Sequence, residues 1–160
     1  MANIPTKQAA EEFLACRRIA VTGVSRKPTG HGSNAVAQRL TECGYEVFMV
    51  NPNASEINGR PCYPNLAAIP GGVEAVVIAT RPEHGLATMQ EAVKLGIGKV
   101  WMHRAFDQGS VSPEATQYGR RHGVRVIDGG CPLMFGKTSD GGHRTMCWFL
   151  NLTGKLPKEV

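Results

Sequence analysis

Short runs of β-favouring residues alternate along this chain with longer stretches of helical periodicity, and three of the helical stretches close on a glycine. That alternation leaves few folds open, because strands separated by helices pair in parallel, with right-handed crossovers and helices on both faces. The strand-like runs are Ile19–Val24, Glu46–Val50, Val73–Ala79, Lys99–Met102 and Val124–Asp128. Each is apolar enough to be buried on both sides. Helices are expected over Thr6–Cys16, Ser33–Cys43, Glu83–Leu95 and Gly141–Leu152, and from Ser112-Pro113-Glu114 to His122. Thr6 reads as a cap, and Ser112 with a following proline and acid is a strong helix start. Gly44, Gly96 and Gly123 supply left-handed exits. The stretch from Asn53 to Gly72, with Gly59, Pro61, Pro64 and Pro70, reads as a variable connection with one helical turn at Leu66–Ile69. Gly154–Val160 reads as a frayed tail. The expectation is an α/β, doubly wound, five-stranded, mostly parallel sheet in one domain spanning residues 1–160.

With 42% hydrophobic and 19% charged residues over 160 positions, the chain has the balance of a globular domain rather than a disordered one. No apolar run approaches a membrane span, and Met1–Lys7 lacks the basic-then-apolar layout of an export signal. No membrane association is expected. The five cysteines are scattered, with no Cys-x-x-Cys, so reduced thiols in a cytoplasm are the expectation. A formal charge of +5 favours an anionic partner. Without a dense Lys/Arg block or interleaved aromatics, that partner is not expected to be nucleic acid.

In a doubly wound sheet, ligands sit outside the carboxyl ends of the strands, at the switch in strand order. After the first strand comes Gly23-Val24-Ser25-Arg26-Lys27-Pro28-Thr29-Gly30-His31-Gly32, leading into a helix. Glycines let the backbone approach a ligand, free N–H groups at the helix start favour an anion, and Arg26 and Lys27 add charge. The dinucleotide fingerprint Gly-x-Gly-x-x-Gly is not met: Ser25 stands at the second glycine, and the loop is longer. The second strand ends in Val50-Asn51-Pro52 without the carboxylate that holds the ribose of NAD. NADP stays open, although no basic residue adjoins Asn51; a different adenine nucleotide fits better.

Gly23-Val24-Ser25 with Pro28 and Gly32, Gly44-Tyr45-Glu46-Val47 leading to Val50-Asn51-Pro52, Thr80-Arg81-Pro82 and Cys131-Pro132 together resemble the CoA-binding domain. That domain also forms the N-terminal part of the succinyl-CoA synthetase alpha subunit, and the resemblance is strongest to small stand-alone bacterial members. It implies a Rossmann-like fold and a site for coenzyme A or an acyl-CoA. Carried over by position, Gly23, Val24, Ser25, Arg26, Lys27, Pro28 and Gly32 would line the phosphates. Asn51, Pro52 and Asn53 would flank the adenosine end. Thr80, Arg81 and Pro82 would border the middle of the ligand, with Met102 and His103 further along. His103-Arg104 departs from the glutamine and small residue expected there.

Cys131, His143 and Cys147 form at most half a metal site, and packed thiols beside a capping histidine are the favoured reading. Cys131 follows the fifth strand, near where the pantetheine arm would end; a packed thiol is favoured there over one that exchanges with CoA. His103, His122 and His143 do not match the phosphohistidine segment of the synthetases. Binding without turnover is therefore expected, with a protein partner or homo-oligomer left open. The alternatives are an NADP-dependent oxidoreductase and a detached subunit of an acyl-CoA ligase.

Overall fold

The computed structural model describes residues 1–27, 32–104 and 109–160. The chain runs α1 (Thr6–Leu14), β1 (Arg18–Thr22), α2 (Gly32–Glu42), β2 (Glu46–Val50), β3 (Glu56–Ile57) and β4 (Arg60–Tyr63). It continues through β5 (Ala75–Ile78), α3 (Pro82–Lys94), β6 (Lys99–Met102), α4 (Pro113–Arg121), β7 (Arg125–Asp128) and α5 (Gly141–Leu152). Two short 3-10 turns, Pro132–Met134 and Gly136–Thr138, precede α5.

The strands form one seven-stranded sheet in the order β3-β4-β2-β1-β5-β6-β7. The five expected strands are its parallel centre. Their two-residue periodicity sorts side chains to opposite faces. Ile19, Val21, Val77, Trp101 and Ile127 face α1 and α2, where the Phe13 and Trp101 rings meet edge-on at 5.4 Å. Ala20, Val76, Ile78, Val100 and Val126 face α3 and α4 around Met89. Burial on both sides is why each run reads as continuously apolar.

Four expectations are corrected. The Asn53–Gly72 stretch holds the two additional strands. β3 and β4 make an antiparallel hairpin across Asn58-Gly59, whose φ angles of 52° and 74° suit the tight turn that right-handed strand twist favours. β4 then adds in parallel to β2, with Met49 opposite Cys62 and Val50 opposite Tyr63. Second, Leu66–Ile69 is a turn closed by the Ile69 N–H on the Leu66 carbonyl, with both side chains buried. Third, Thr6 is the first helical residue of α1 rather than its cap; its hydroxyl donates to the Pro157 carbonyl. Fourth, the C-terminal tail is not frayed. Ile4 and Val160 exchange backbone hydrogen bonds of 3.0 Å, Thr6 N–H donates to the Lys158 carbonyl, and Leu156 and Val160 are buried. Tail and N-terminus thus satisfy each other's backbone groups, which no local pattern announces.

The strand ends also shift. β1 stops at Thr22 because Gly23 turns at φ +72°, and the third core strand is the shorter Ala75–Ile78. The Ser112 cap is present, its hydroxyl accepting from Ala115 N–H at 3.3 Å. Among the described residues no helix is long and apolar enough to cross a membrane.

Candidate functional site

The sheet order reverses between β1 and β5: chain progress from β1 goes outward to β2 on one side, then returns to β5 on the other. The connections leaving those two strands go to opposite sides of the sheet, the position at which such sheets hold ligands. At Gly23 a Cβ would stand 2.4 Å from the Ala79 carbonyl oxygen, so only glycine lets the two exits lie this close.

The loop beyond Gly23 is held by α2. Ser33 donates its hydroxyl hydrogen to the Gly23 carbonyl at 2.9 Å. The Asn34 side chain grips Ser25 twice, accepting its N–H at 2.7 Å and donating to its carbonyl at 2.9 Å. The Ser25 hydroxyl accepts the Lys27 N–H at 3.1 Å. The main chain is thereby fixed while the Arg26 and Lys27 side chains remain exposed. Pro28 lies outside the described residues. Asn34 is a residue that sequence reasoning missed; its signal was an amide in the first turn of the helix that follows the glycine-rich loop.

The β2 exit is stitched to the same loop. Asn51 donates its side-chain amide to the Val24 carbonyl at 2.8 Å, while its side-chain oxygen accepts the Asn53 N–H at 2.8 Å. Both ends of this side chain are thus occupied, and Asn51 positions the loops. Pro52 and Asn53 remain exposed.

At the β5 exit, the Thr80 hydroxyl is buried and has no hydrogen-bond partner among the described residues. Buried hydroxyls are normally paired, so an orphan beside a crevice marks a position where a ligand atom or water belongs. Arg81 caps α3 through its extended backbone and leaves its side chain exposed; Pro82 occupies the first turn. Among the described residues no side chain caps that helix; Pro82 carries no N–H, and the His84 N–H donates to the Arg81 carbonyl at 3.0 Å. At the β6 exit, His103 is half-buried, its N–H bonded to the Ile78 carbonyl at 2.9 Å. Its ring lies 3.3 Å from where a Cβ on Gly32 would stand, which joins this exit to the start of α2.

Two of the expected site residues turn their side chains into the core. The Val24 side chain is 1% exposed, and Met102 is fully buried against α3 and α4, its sulfur accepting from the Thr116 hydroxyl at 3.3 Å. Both side chains belong to the core, so only their backbone reaches the rim. Cys131 is 2% exposed, and desolvation pushes its thiol up to about 12, so it stays protonated and unreactive near neutral pH. His143 bonds Asp140 at 2.8 Å and donates its N–H to the same carboxylate; these bonds hold the Asp140 carboxyl below its ordinary range. Among the described residues no three His, Cys, Asp or Glu side chains gather as a metal site.

The rim is therefore a fixed backbone cradle between two helix starts, flanked by exposed guanidinium and ammonium groups. It lies at the switch in strand order of a Rossmann-like α/β domain. Residues 17–137 match the CoA binding domain family. The chain is 31% identical over 124 residues to the uncharacterized protein YneT of Bacillus subtilis, covering 77% of this chain and 88% of that protein. It is 30% identical over 119 residues to the ADP-forming acetate–CoA ligase II of Archaeoglobus fulgidus, covering 69% of this chain but only 18% of that enzyme. Among solved structures, a hypothetical protein from Pyrococcus horikoshii OT3 superposes with a TM-score of 0.72 at 30% identity, covering 79% of this chain and 87% of that one. The chain belongs to the CoA-binding domain family.

Proposed function

We propose that this protein binds coenzyme A or a short acyl-CoA at the rim, and performs no chemistry on it by itself. The observation that carries the reading is the coincidence, within a chain of this family, of the Gly23 close approach with the unpartnered Thr80 hydroxyl one strand exit away. The cradle fits the ligand's chemistry: CoA carries a pyrophosphate and a 3′-phosphate, and amides backed by Arg26, Lys27 and Arg81 supply charge-assisted donors. Gly23 and Gly32 let the chain come close to the ligand, Ser25 holds the loop that carries Arg26 and Lys27, Pro52 and Asn53 border the adenosine end, and Thr80 and Pro82 border the middle. His103 stands where the pantetheine arm would pass. CoA, when bound, supplies a thiol; this chain orients and shields its carrier. Calorimetric titration with CoA, dephospho-CoA, NADP and NAD tests the reading. CoA is expected to bind most tightly, and equal or absent affinities for all four refute it.

The similarity to part of an acetate–CoA ligase supports a second reading, in which this chain lends its CoA site to a separate catalytic chain. Co-purification of such a chain from native cells supports that reading; recovery of this chain alone speaks against it.

A further inference from the structure

The family match covers residues 17–137, so α1, α5 and the C-terminal tail lie outside it. These added parts fold against each other and enclose a groove of about 780 Å³ between the start of α1, the 134–139 segment, one face of α5 and residues 156–158. The groove does not coincide with the CoA rim. It lies past the carboxyl end of β7, where Leu156 and Pro157 pack against Gly130 and Gly129, and Arg104 holds the Lys155 carbonyl at 2.6 Å.

Its floor is apolar: Met134 and Leu156 are almost fully buried, and Phe135 is half-buried. Lys7, Arg144 and Lys158 line its edge, and among the described residues no carboxylate does. Among the described residues none of these three cations is in a salt bridge. Arg144 instead donates to the Ser139 hydroxyl at 3.2 Å. The half-buried thiol of Cys147 looks into the same space, its titration pushed up by desolvation. Volume and lining are those of a small-molecule site, mostly apolar with a few placed polar groups. We propose that this groove is a second ligand site, which takes a medium-chain aliphatic carboxylate with its chain on the Met134–Leu156 floor and its head among Lys7, Arg144 and Lys158. The inference does not depend on CoA binding at the rim.

The charge distribution selects this occupant. Lys7, Arg144 and Lys158 are exposed at its mouth, so a carboxylate head gains charge pairing there that a neutral chain lacks. An acidic peptide would bring backbone N–H and C=O groups onto a floor that offers them no partners.

Calorimetric titration of the full-length protein with decanoate, octanoate and decanol tests the assignment without any variant. Octanoate is expected to bind roughly tenfold or more weakly than decanoate, since each methylene contributes up to about fourfold. Decanol, lacking the carboxylate, is expected to bind at least fivefold more weakly than decanoate. Alkylation of Cys147 by N-ethylmaleimide, read by peptide mass, should slow severalfold in saturating decanoate. The double substitution Arg144→Glu with Lys158→Glu should weaken decanoate at least tenfold, leaving decanol unchanged, with folding checked by circular dichroism. No saturable decanoate binding, equal affinity for decanol, or an unchanged Cys147 alkylation rate overturns the proposal. Cys147 protection by decanoyl-CoA but not by decanoate overturns it too.

Discussion

Replacing Thr80 by valine keeps the β-branched shape and removes one oxygen, the one that lies buried without a partner at the β5 exit. In the ligand-free protein that hydroxyl has no partner among the described residues, and an unsatisfied buried group of this kind costs about 1–3 kcal/mol. Thr80→Val should therefore stabilise the free protein by about 1–2 kcal/mol. For a chain of 160 residues each kcal/mol raises the melting temperature by about 2–4 °C, so a rise of roughly 2–8 °C is expected. If the hydroxyl pairs with a CoA atom, the same substitution deletes that hydrogen bond and should weaken CoA roughly tenfold, equivalent to about 1.4 kcal/mol. Opposite signs in the two assays, melting by differential scanning calorimetry and affinity by titration, form the signature. A lower melting temperature together with unchanged CoA affinity refutes the reasoning, because the hydroxyl then has a structural partner and no ligand contact.

Gly23→Ala forces a side chain into φ +72° and onto the Ala79 carbonyl; it should destabilise by about 3 kcal/mol or more and abolish CoA binding, measured by urea unfolding and titration. Arg26→Ala and Arg81→Ala should each weaken CoA by about three- to thirtyfold, with the larger loss at low salt where phosphate pairing is less screened; unchanged affinity in both displaces the phosphates from this corner. Glu74 accepts the N–H groups of Arg17 and Arg18, both at 2.8 Å, and these bonds hold its carboxyl below the ordinary range. Because the folded value is the depressed one, its contribution is complete above the unfolded carboxylate range near pH 4 and fades as pH falls through the folded value. Glu74→Gln should flatten that acid limb of the stability curve, and an identical limb in both proteins counts against the clamp.

Much of this architecture was readable in the order of residues, and the failures have a common cause. The five core strands, the Ser112 cap and the Gly23 corner follow from rules that act within a few residues: periodicity, capping and permissive φ. Asn58-Gly59 carried a hairpin signal too, but the flanking prolines and charges masked it, since β4 is an outer strand whose pairing needs β2 alongside. The tail looked polar and loose because its order comes from residues 4–6, more than 150 positions away. At the site, Arg26, Lys27 and Arg81 stood out as charges beside glycine and proline. Met102 closes β6, and being the last residue of a strand says nothing about which face its side chain takes; here it is the α3 and α4 face.

Local chemistry along the chain was enough to specify a parallel, doubly wound sheet and the glycine corner after its first strand. Which groups are left unsatisfied there, and which are consumed in holding loops together, depended on long-range packing. Asn34 and Asn51 spend their amides on neighbouring loops, while the Thr80 hydroxyl has no partner among the described residues. The groove between α1 and α5 arises in the same way, from segments that lie far apart along the chain. Hydrogen-bond satisfaction is a property of closed three-dimensional surroundings, so it cannot be read from neighbours in a string.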